Sequence, residues 1–238
     1  MELTIVIPVF NEVESIVSVL DEIADQFELA SNYEIIVVDD GSIDGTTAVL
    51  VEQKLLMPQL RVLQHRERCG QSAAISTGVM AARTPWIVTL DGDGQNDPAD
   101  IPRLFQIMDE TPDEIHMVTG YRKQRMDGWL KRLSSRCANA VRAALLGDDT
   151  PDSACGIRIF ARSTFLLLPR FNHMHRFLPA LVQCRGGKVL SVEVNHRKRR
   201  RGHSKYGIHN RLWAGIVDTF GVLWLKRRAI RPVLTEIE

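Results

Sequence analysis

The first 90 residues alternate short β-prone runs with longer stretches of helical period, and that alternation restricts the fold more than any other feature. The runs are Leu3 to Ile7, Tyr33 to Val38, Leu60 to Gln64 and Trp86 to Leu90. Leu3-Thr4-Ile5-Val6-Ile7 carries no charge, as expected for a strand buried on both faces of a parallel sheet, and Pro8 is expected to end it. Between the runs, Asn11 to Ala24 places Ile16, Val19, Leu20 and Ile23 at helical spacing. Further helices are predicted over about Thr46 to Leu56, capped by Ser42 or Asp44, and over Gln71 to Ala82. Strands and helices in this order imply an α/β fold, a parallel sheet with helices on both faces.

Past Pro98 the pattern is more mixed. Ile101 to Asp109 and Trp129 to Leu146 read as helices, Ile115 to Thr119 and Cys155 to Phe160 as strands. Phe165 to Leu168, Phe177 to Cys184 and Val189 to Val194 complete this part, with no internal repeat and no linker to a second globular domain. The net charge of +1 conceals a polarised chain: residues 1–121 hold 21 Asp/Glu against 6 Lys/Arg, and residues 185–231 hold 13 Lys/Arg against 2 Asp/Glu. An acidic first half and a basic far end suit a cation-binding region followed by an anion-facing one. The basic end lacks any nucleic-acid motif, so no nucleic-acid partner is expected.

Acidic residues stand at the ends of three strand runs: Glu12 after Pro8, Asp39 and Asp40 after Val38, Asp91 and Asp93 after Leu90. In an open α/β sheet, ligands collect at the carboxyl edge of the strands, so these groups are expected to converge on one crevice. Asp91 and Asp93 are each followed by glycine, and such a pair can seat a hard divalent cation. Taken alone, an Asp/Gly cluster is equally a solvated turn. Asp97 and Asp100 read as turn and helix-start residues. Neither GxGxxG after the first strand nor GxxxxGK[ST] is present, which argues against a dinucleotide dehydrogenase and a P-loop NTPase. Cys69, Cys137, Cys155 and Cys184 show no paired spacing and read as reduced thiols of a cytosolic protein. His65, His116, His173, His175, His203 and His209 show no ligand spacing and read as surface or packing residues.

Four ordered motifs carry a resemblance. Ile7-Pro8-Val9-Phe10-Asn11-Glu12, Val37-Val38-Asp39-Asp40-Gly41-Ser42, Gly70-Gln71-Ser72-Ala73-Ala74 and Leu90-Asp91-Gly92-Asp93-Gly94-Gln95-Asn96-Asp97-Pro98 resemble family 2 glycosyltransferases of GT-A fold. More narrowly, the chain resembles polyprenyl-phosphate glycosyltransferases of the dolichol-phosphate mannosyltransferase type. That resemblance implies that Pro8, Glu12, Asp40 and Gly70 line the nucleotide pocket. It also implies that Asp91 and Asp93 hold Mg²⁺ or Mn²⁺, with Gln95 as a further ligand or a group oriented toward the ion. Asp152 matches the position proposed as catalytic base, in a segment where Cys155 replaces Ser, Ile157 replaces an aromatic residue, and Arg158 is retained. Arg68 stands where Asn is common. His196-Arg197-Lys198-Arg199 and Gly202-His203-Ser204-Lys205-Tyr206 match a basic motif expected to clamp phosphate.

The expected reaction is inverting transfer of a sugar from GDP-mannose or a UDP-sugar to polyprenyl phosphate. Such an acceptor is already anionic near neutral pH, which makes Asp152 an orienting group and Arg122, Arg136, Arg199 and Lys205 acceptor-phosphate candidates. A saccharide hydroxyl acceptor, needing a true base at Asp152, and a catalytically silent nucleotide-sugar-binding subunit remain alternatives. Residues 1–210 are expected to form the catalytic domain and residues 211–238 a basic amphipathic segment. Leu212 to Leu225 is apolar over only 14 residues, is interrupted by Asp218, and is followed by Lys226, Arg227 and Arg228. As a helix it would place Trp213, Ile216, Phe220 and Leu223 or Trp224 on one broad face. This suits a helix lying in a membrane interface, or one packed on the domain, a membrane-protein partner or a second copy. With no signal peptide and no run long enough to span a bilayer, the expectation is a cytoplasmic enzyme, peripheral at the inner face of the cell membrane.

Overall fold

A computed structural model describes residues 2–27, 32–111, 114–122, 143–148, 150–197 and 208–228. The strands are β1 (Leu3–Val9), β2 (Tyr33–Asp39), β3 (Leu60–Gln64), β4 (Trp86–Thr89), β5 (Met117–Tyr121), β6 (Arg158–Ala161) and β7 (Val189–Glu193). The helices are α1 (Ile16–Gln26), α2 (Thr46–Leu56), α3 (Gln71–Ala81), α4 (Ile101–Glu110), α5 (Arg162–Leu166), α6 (Leu178–Cys184) and α7 (Ile208–Arg227). One mixed sheet of 7 strands runs in the order β3-β2-β1-β4-β6-β5-β7. β6 is antiparallel to both neighbours, while β1 to β5 and β7 otherwise pair in parallel. This mostly parallel sheet with helices on both faces is the GT-A architecture.

The two-residue period of a strand sorts β1 between two cores. Leu3, Ile5, Ile7 and Val9 face a layer built from α1 and α4, through Ile16, Leu20, Ile23, Leu104 and Met108. Val6 faces the other layer, with Ala74 and Val79 of α3, Leu181 of α6 and Val222 of α7. Each fully buried large aliphatic side chain contributes about 1.5–3 kcal/mol, so both faces are strongly held. Small residues bring α3 unusually close to the sheet: a Cβ on Gly78 would lie 2.4 Å from Val6 Cγ1. That close approach delivers the amino end of α3, and therefore Gln71, to the tip of β4.

Several expectations shift. Pro8 does not end β1 but sits inside it, opposite Val38. Val6 turns its carbonyl toward the β4 side, where it accepts from the Leu90 N–H, and residue 8 has the same parity. Its missing N–H thus faces a neighbour that has already ended at Thr89, where no ladder bond is lost. α1 begins at Ile16 instead of Asn11, because Asn11 takes a left-handed φ of 54° and the Glu12 segment is occupied in turn bonds. Asp44 rather than Ser42 serves the start of α2, accepting from the Thr46 N–H at 3.0 Å. The basic helix expected over Trp129 to Leu146, with Arg136, lies outside the described residues apart from a helical turn at 143–146. No described helix is long and apolar enough to cross a membrane.

α7 is fastened to the body by Val222, fully buried, by His173 Nδ1 to Asp218 Oδ2 at 2.9 Å, and by Lys226 Nζ donating to the Leu146 carbonyl. Asp218 is therefore a docking group and not merely an interruption of the apolar run. Leu223 packs toward the core, whereas Ile216, Val217, Phe220 and Trp224 are exposed. The side chain of Trp213 lies outside the described residues.

Candidate functional site

Loops after four parallel strands meet at one edge of the sheet, and a chain of hydrogen bonds joins them. Asn11 links the first two: its N–H donates to Ser42 Oγ at 2.8 Å, and its side-chain oxygen accepts from the Ile43 N–H at 2.8 Å. Ser15 Oγ lies 2.9 Å from Glu12 Oε2 and 2.9 Å from the Gly92 carbonyl, so Glu12 stands beside the loop after β4. The Asp40 carboxylate accepts from the N–H groups of Cys69 at 2.8 Å and Gly70 at 2.7 Å, and faces His65 Nδ1 at 2.8 Å. This organises the loop after β3. Gly41 (φ +75°) lets that loop close in, since a Cβ there would sit 3.0 Å from the Arg68 nitrogen. Arg68 in turn covers the Phe10 ring, 4.2 Å from its centroid.

The neighbouring carboxylate has a different duty. Asp39 is fully buried, and its oxygens accept from the Ser42 N–H at 2.9 Å and from Thr47 Oγ1 at 2.5 Å. It shapes the turn after β2.

Asp91 is strongly perturbed at this edge. Gln71 Nε2 donates to its Oδ1 at 2.9 Å, and Asn96 donates to it as well. Burial, then the adjacent charge of Asp93, push its carboxyl up to about 6, against the opposing pull of Arg158 and Arg122. Part of Asp91 still reaches solvent, which leaves a path for a cation. Gly156 permits this arrangement: a Cβ there would lie 2.2 Å from Asp91 Oδ2 and 2.8 Å from Asn96 Nδ2. Asp93 Oδ1 accepts from the Gln95 N–H at 3.1 Å, so the DGDGQ segment is a tight turn. Asp97 caps the following 3₁₀ turn through the Ala99 N–H at 3.0 Å, as expected.

The later strands reach the same edge. Because β6 runs antiparallel to β4, with Arg158 opposite Thr89, the segment leading into β6 arrives at the tip of β4. It carries Asp152, buried, in a fork with Arg122 from the end of β5: Nε to Oδ2 at 2.6 Å and Nη2 to Oδ1 at 2.9 Å. Burial opposes the charge of Arg122, but the bonds to Asp152 outweigh it and raise its pKa. After β7, Asn96 and His196 form an antiparallel bridge, and the Arg197 N–H donates to the Gln95 carbonyl at 2.9 Å. The Arg197 guanidinium binds Glu22 at 2.5 Å and Asp97 at 2.7 Å, tying this segment to α1 rather than presenting a phosphate clamp. Arg199 and Lys205 lie outside the described residues. Cys155 is buried, and burial pushes its thiol up to about 11, so it stays protonated and inert at neutral pH.

The structure thus brings together Pro8, Glu12, Asp40, Gly70, Asp91, Asp93, Gln95, Arg122 and Asp152. It adds Ser15, Gln71, Asn96 and Gly156, which orient the carboxylates. Gln71 and Asn96 lie inside sequence motifs, but nothing in the motifs says which atom they hold. A hollow at the opposite end of β4, between Glu2, Pro85, Trp86 and Phe105, contains none of these residues.

A mostly parallel sheet whose loops gather acidic groups at the strand tips agrees with the GT-A class that the motifs imply. The model of glycosyl transferase family 2 matches residues 4–166, and the chain belongs to that family. It is 34% identical over 240 residues to the dodecaprenyl-phosphate galacturonate synthase of Rhizobium johnstonii, covering 98% of this chain and 69% of that protein. It is 32% identical over 208 residues to the undecaprenyl-phosphate 4-deoxy-4-formamido-L-arabinose transferase of Edwardsiella ictaluri, covering 86% and 63% respectively. The chain therefore spans less than two thirds of the second relative. Its fold is similar to that of glucosyl-3-phosphoglycerate synthase from Mycobacterium tuberculosis, solved with Mn²⁺, UDP and phosphoglyceric acid. The TM-score is 0.69 at 20% identity, covering 97% of this chain and 80% of that one.

Proposed function

We propose that the chain is a metal-dependent, inverting glycosyltransferase that moves a sugar from a nucleotide-sugar to a polyprenyl phosphate at a membrane surface. The observation that carries this reading is the bonded ring linking Glu12, Asp40 and Asp91 at one sheet edge, with the Asp152–Arg122 fork beside it. Both relatives are named for sugar transfer to, or synthesis on, a polyprenyl phosphate, which supports the acceptor class.

Asp91, Asp93 and the Gln95 amide form an oxygen donor set of the kind that suits Mg²⁺ or Mn²⁺. The two crowded carboxylates, one of them raised to about 6, fit a site completed by a cation. When bound, such an ion neutralises the charge that develops on a departing diphosphate. Gln71 and Asn96 hold the Asp91 carboxylate in position. Asp40, Glu12, Pro8 and Gly70 line the nucleoside side of the cleft. Asp152, joined to Arg122 by the two-bond fork, positions that arginine near the sheet edge and does not need to accept a proton, because a phosphomonoester arrives already anionic. Arg199 and Lys205 supply further positive charge by their place in the motif.

Residues 1–210 form the catalytic unit in this proposal, and α7 lays Ile216, Phe220 and Trp224 into the interface of the cytoplasmic leaflet. The decisive experiment incubates the chain with Mn²⁺, a short polyprenyl phosphate and a panel of GDP- and UDP-sugars, followed by mass spectrometry of the lipid. A lipid heavier by one glycosyl unit, with release of the nucleoside diphosphate, is expected. No gain with any donor defeats the proposal. In liposome sedimentation, Phe220→Ser with Trp224→Ser is expected to lower binding to anionic vesicles. Unchanged binding removes the membrane role of α7.

A further inference from the structure

His65 and Cys69 do not behave as the isolated surface residues their spacing suggests. Asp40, His65 and Cys69 offer a carboxylate oxygen, an imidazole nitrogen and a thiol sulfur, all within 4.8 Å of one another. Asp40 is buried, His65 half-buried and Cys69 exposed, so the cluster is anchored at its base and open to solvent at its sulfur. We propose that this cluster is a second metal site, selective for a thiophilic divalent cation such as Zn²⁺ and separate from the oxygen-only set at Asp91 and Asp93.

Donor softness separates the two sites. A thiolate and an imidazole favour Zn²⁺ or Co²⁺ over Mg²⁺, whereas carboxylates and amides do the reverse. The geometry needs only a small adjustment. Zinc bonds of roughly 2.0–2.3 Å set ligand atoms about 3.3–3.8 Å apart in a tetrahedron. Cys69 Sγ now donates to the Glu67 carbonyl at 3.3 Å, and as an exposed side chain it can turn inward at little cost.

The remaining shell is already built. The Asp40 carboxylate is fixed by two backbone N–H groups, from Cys69 and Gly70, which leave a lone pair available once His65 releases it. His65 Nε2 lies 2.9 Å from Thr77 Oγ1. A hydroxyl both donates and accepts, so Thr77 supports either imidazole tautomer. On binding, the imidazole proton moves from Nδ1 to Nε2, where Thr77 accepts it, and the Nδ1 lone pair turns to the metal. The thiol proton of Cys69 goes to solvent, so one proton leaves and no electron is transferred. Three protein ligands and an outward fourth position make an open site. An ion there withdraws Asp40 from the nucleoside side of the cleft, which makes zinc an antagonist of donor binding; this consequence alone rests on the proposed function.

Cobalt(II) is the probe for the full chain. The wild type is expected to develop thiolate-to-cobalt charge-transfer absorption that saturates at one ion per chain, survives excess Mg²⁺ and is cleared by Zn²⁺. Cys69→Ser is expected to lose the band while keeping its circular dichroism. Thr77→Val is expected to weaken Zn²⁺ binding about tenfold, as loss of a ligand-orienting partner does. No band in the wild type, or an unchanged band in Cys69→Ser, overturns the site. Binding of UDP and of GDP is then measured with and without Zn²⁺, and the one that binds is used. Weakening by Zn²⁺ in the wild type but not in Cys69→Ser is the expected result. Failure of both UDP and GDP to bind at all, with the cobalt band intact, counts against the transferase reading and not against the metal site.

Discussion

The two halves of the sheet hold their charges in opposite ways. On the β1–β4 side, Asp91 and Asp93 are like charges packed together, and the carboxyl of Asp91 is lifted to about 6. On the β5–β6 side, Asp152 and Arg122 are opposite charges in a two-bond fork, and the pair needs nothing more. The first arrangement sets like charges against each other and suits a visiting cation. The second is satisfied and suits a fixed wall that orients whatever enters. The contrast shows why acidic residues at strand tips are not interchangeable: the charges nearby decide which carboxylate binds and which one braces.

Removing the brace has the largest expected effect. Asp152→Asn leaves Arg122 part-buried without its counter-charge, and chemical denaturation is expected to show a loss of about 3 kcal/mol. The same variant sharpens the acceptor assignment. A modest fall in transfer per folded molecule fits a phosphate acceptor, while near-complete loss fits a hydroxyl acceptor that needs a base.

Next comes Gly156→Ala, which joins the two halves. Its Cβ would displace the Asp91 carboxylate, and a displacement of about 1 Å costs on the order of 100-fold in rate. Transfer within a few-fold of wild type breaks the assignment of Asp91.

The third test is a pH comparison. A carboxyl whose folded pKa lies above its unfolded value binds its proton more readily in the folded chain. Stability of the ion-free chain therefore declines as pH rises from the ordinary 3.8 toward about 6, and the loss persists above that range. Mn²⁺ is expected to raise the melting temperature above this range and to do little below it, because protons then occupy the ligand. Equal shifts on both sides of the range contradict the mutual repulsion of the pair.

The smallest effect is Ser15→Ala, which removes one hydroxyl bridging Glu12 and the Gly92 carbonyl. A cost of about 1 kcal/mol is expected, with weaker UDP binding and an unchanged Asp152–Arg122 side.

Legibility followed sequence distance. β3 and α2 fall where their local pattern places them, and β2 and α3 each miss by one residue, because period and propensity act within a few turns of chain. The start of α1 and the end of β1 did not, since they depend on Asn11 meeting Ser42 and on β4 stopping short of Pro8. In the site, the convergence of Glu12, Asp40 and Asp91 was readable from parallel topology. Gln71, Ser15 and Gly156 were not, because what each does is defined by an atom on another strand unit, and Asn96 was not, because its bond to Asp91 depends on how their shared loop folds. Arg197 is the clearest case: its motif suggests phosphate, and its contacts are Glu22 and Asp97.

By itself the sequence determined the strand–helix alternation, the acidic strand tips and the family they mark, since all three are written in short contiguous stretches. Tertiary structure alone decided that β6 enters antiparallel beside β4, that Asp152 is locked to Arg122, and that His65 and Cys69 meet Asp40. A carboxylate's remaining lone pairs and its pKa depend on burial and on partners from other strand units, as Asp91 does on Gln71, Arg122 and Arg158, and no local pattern encodes them.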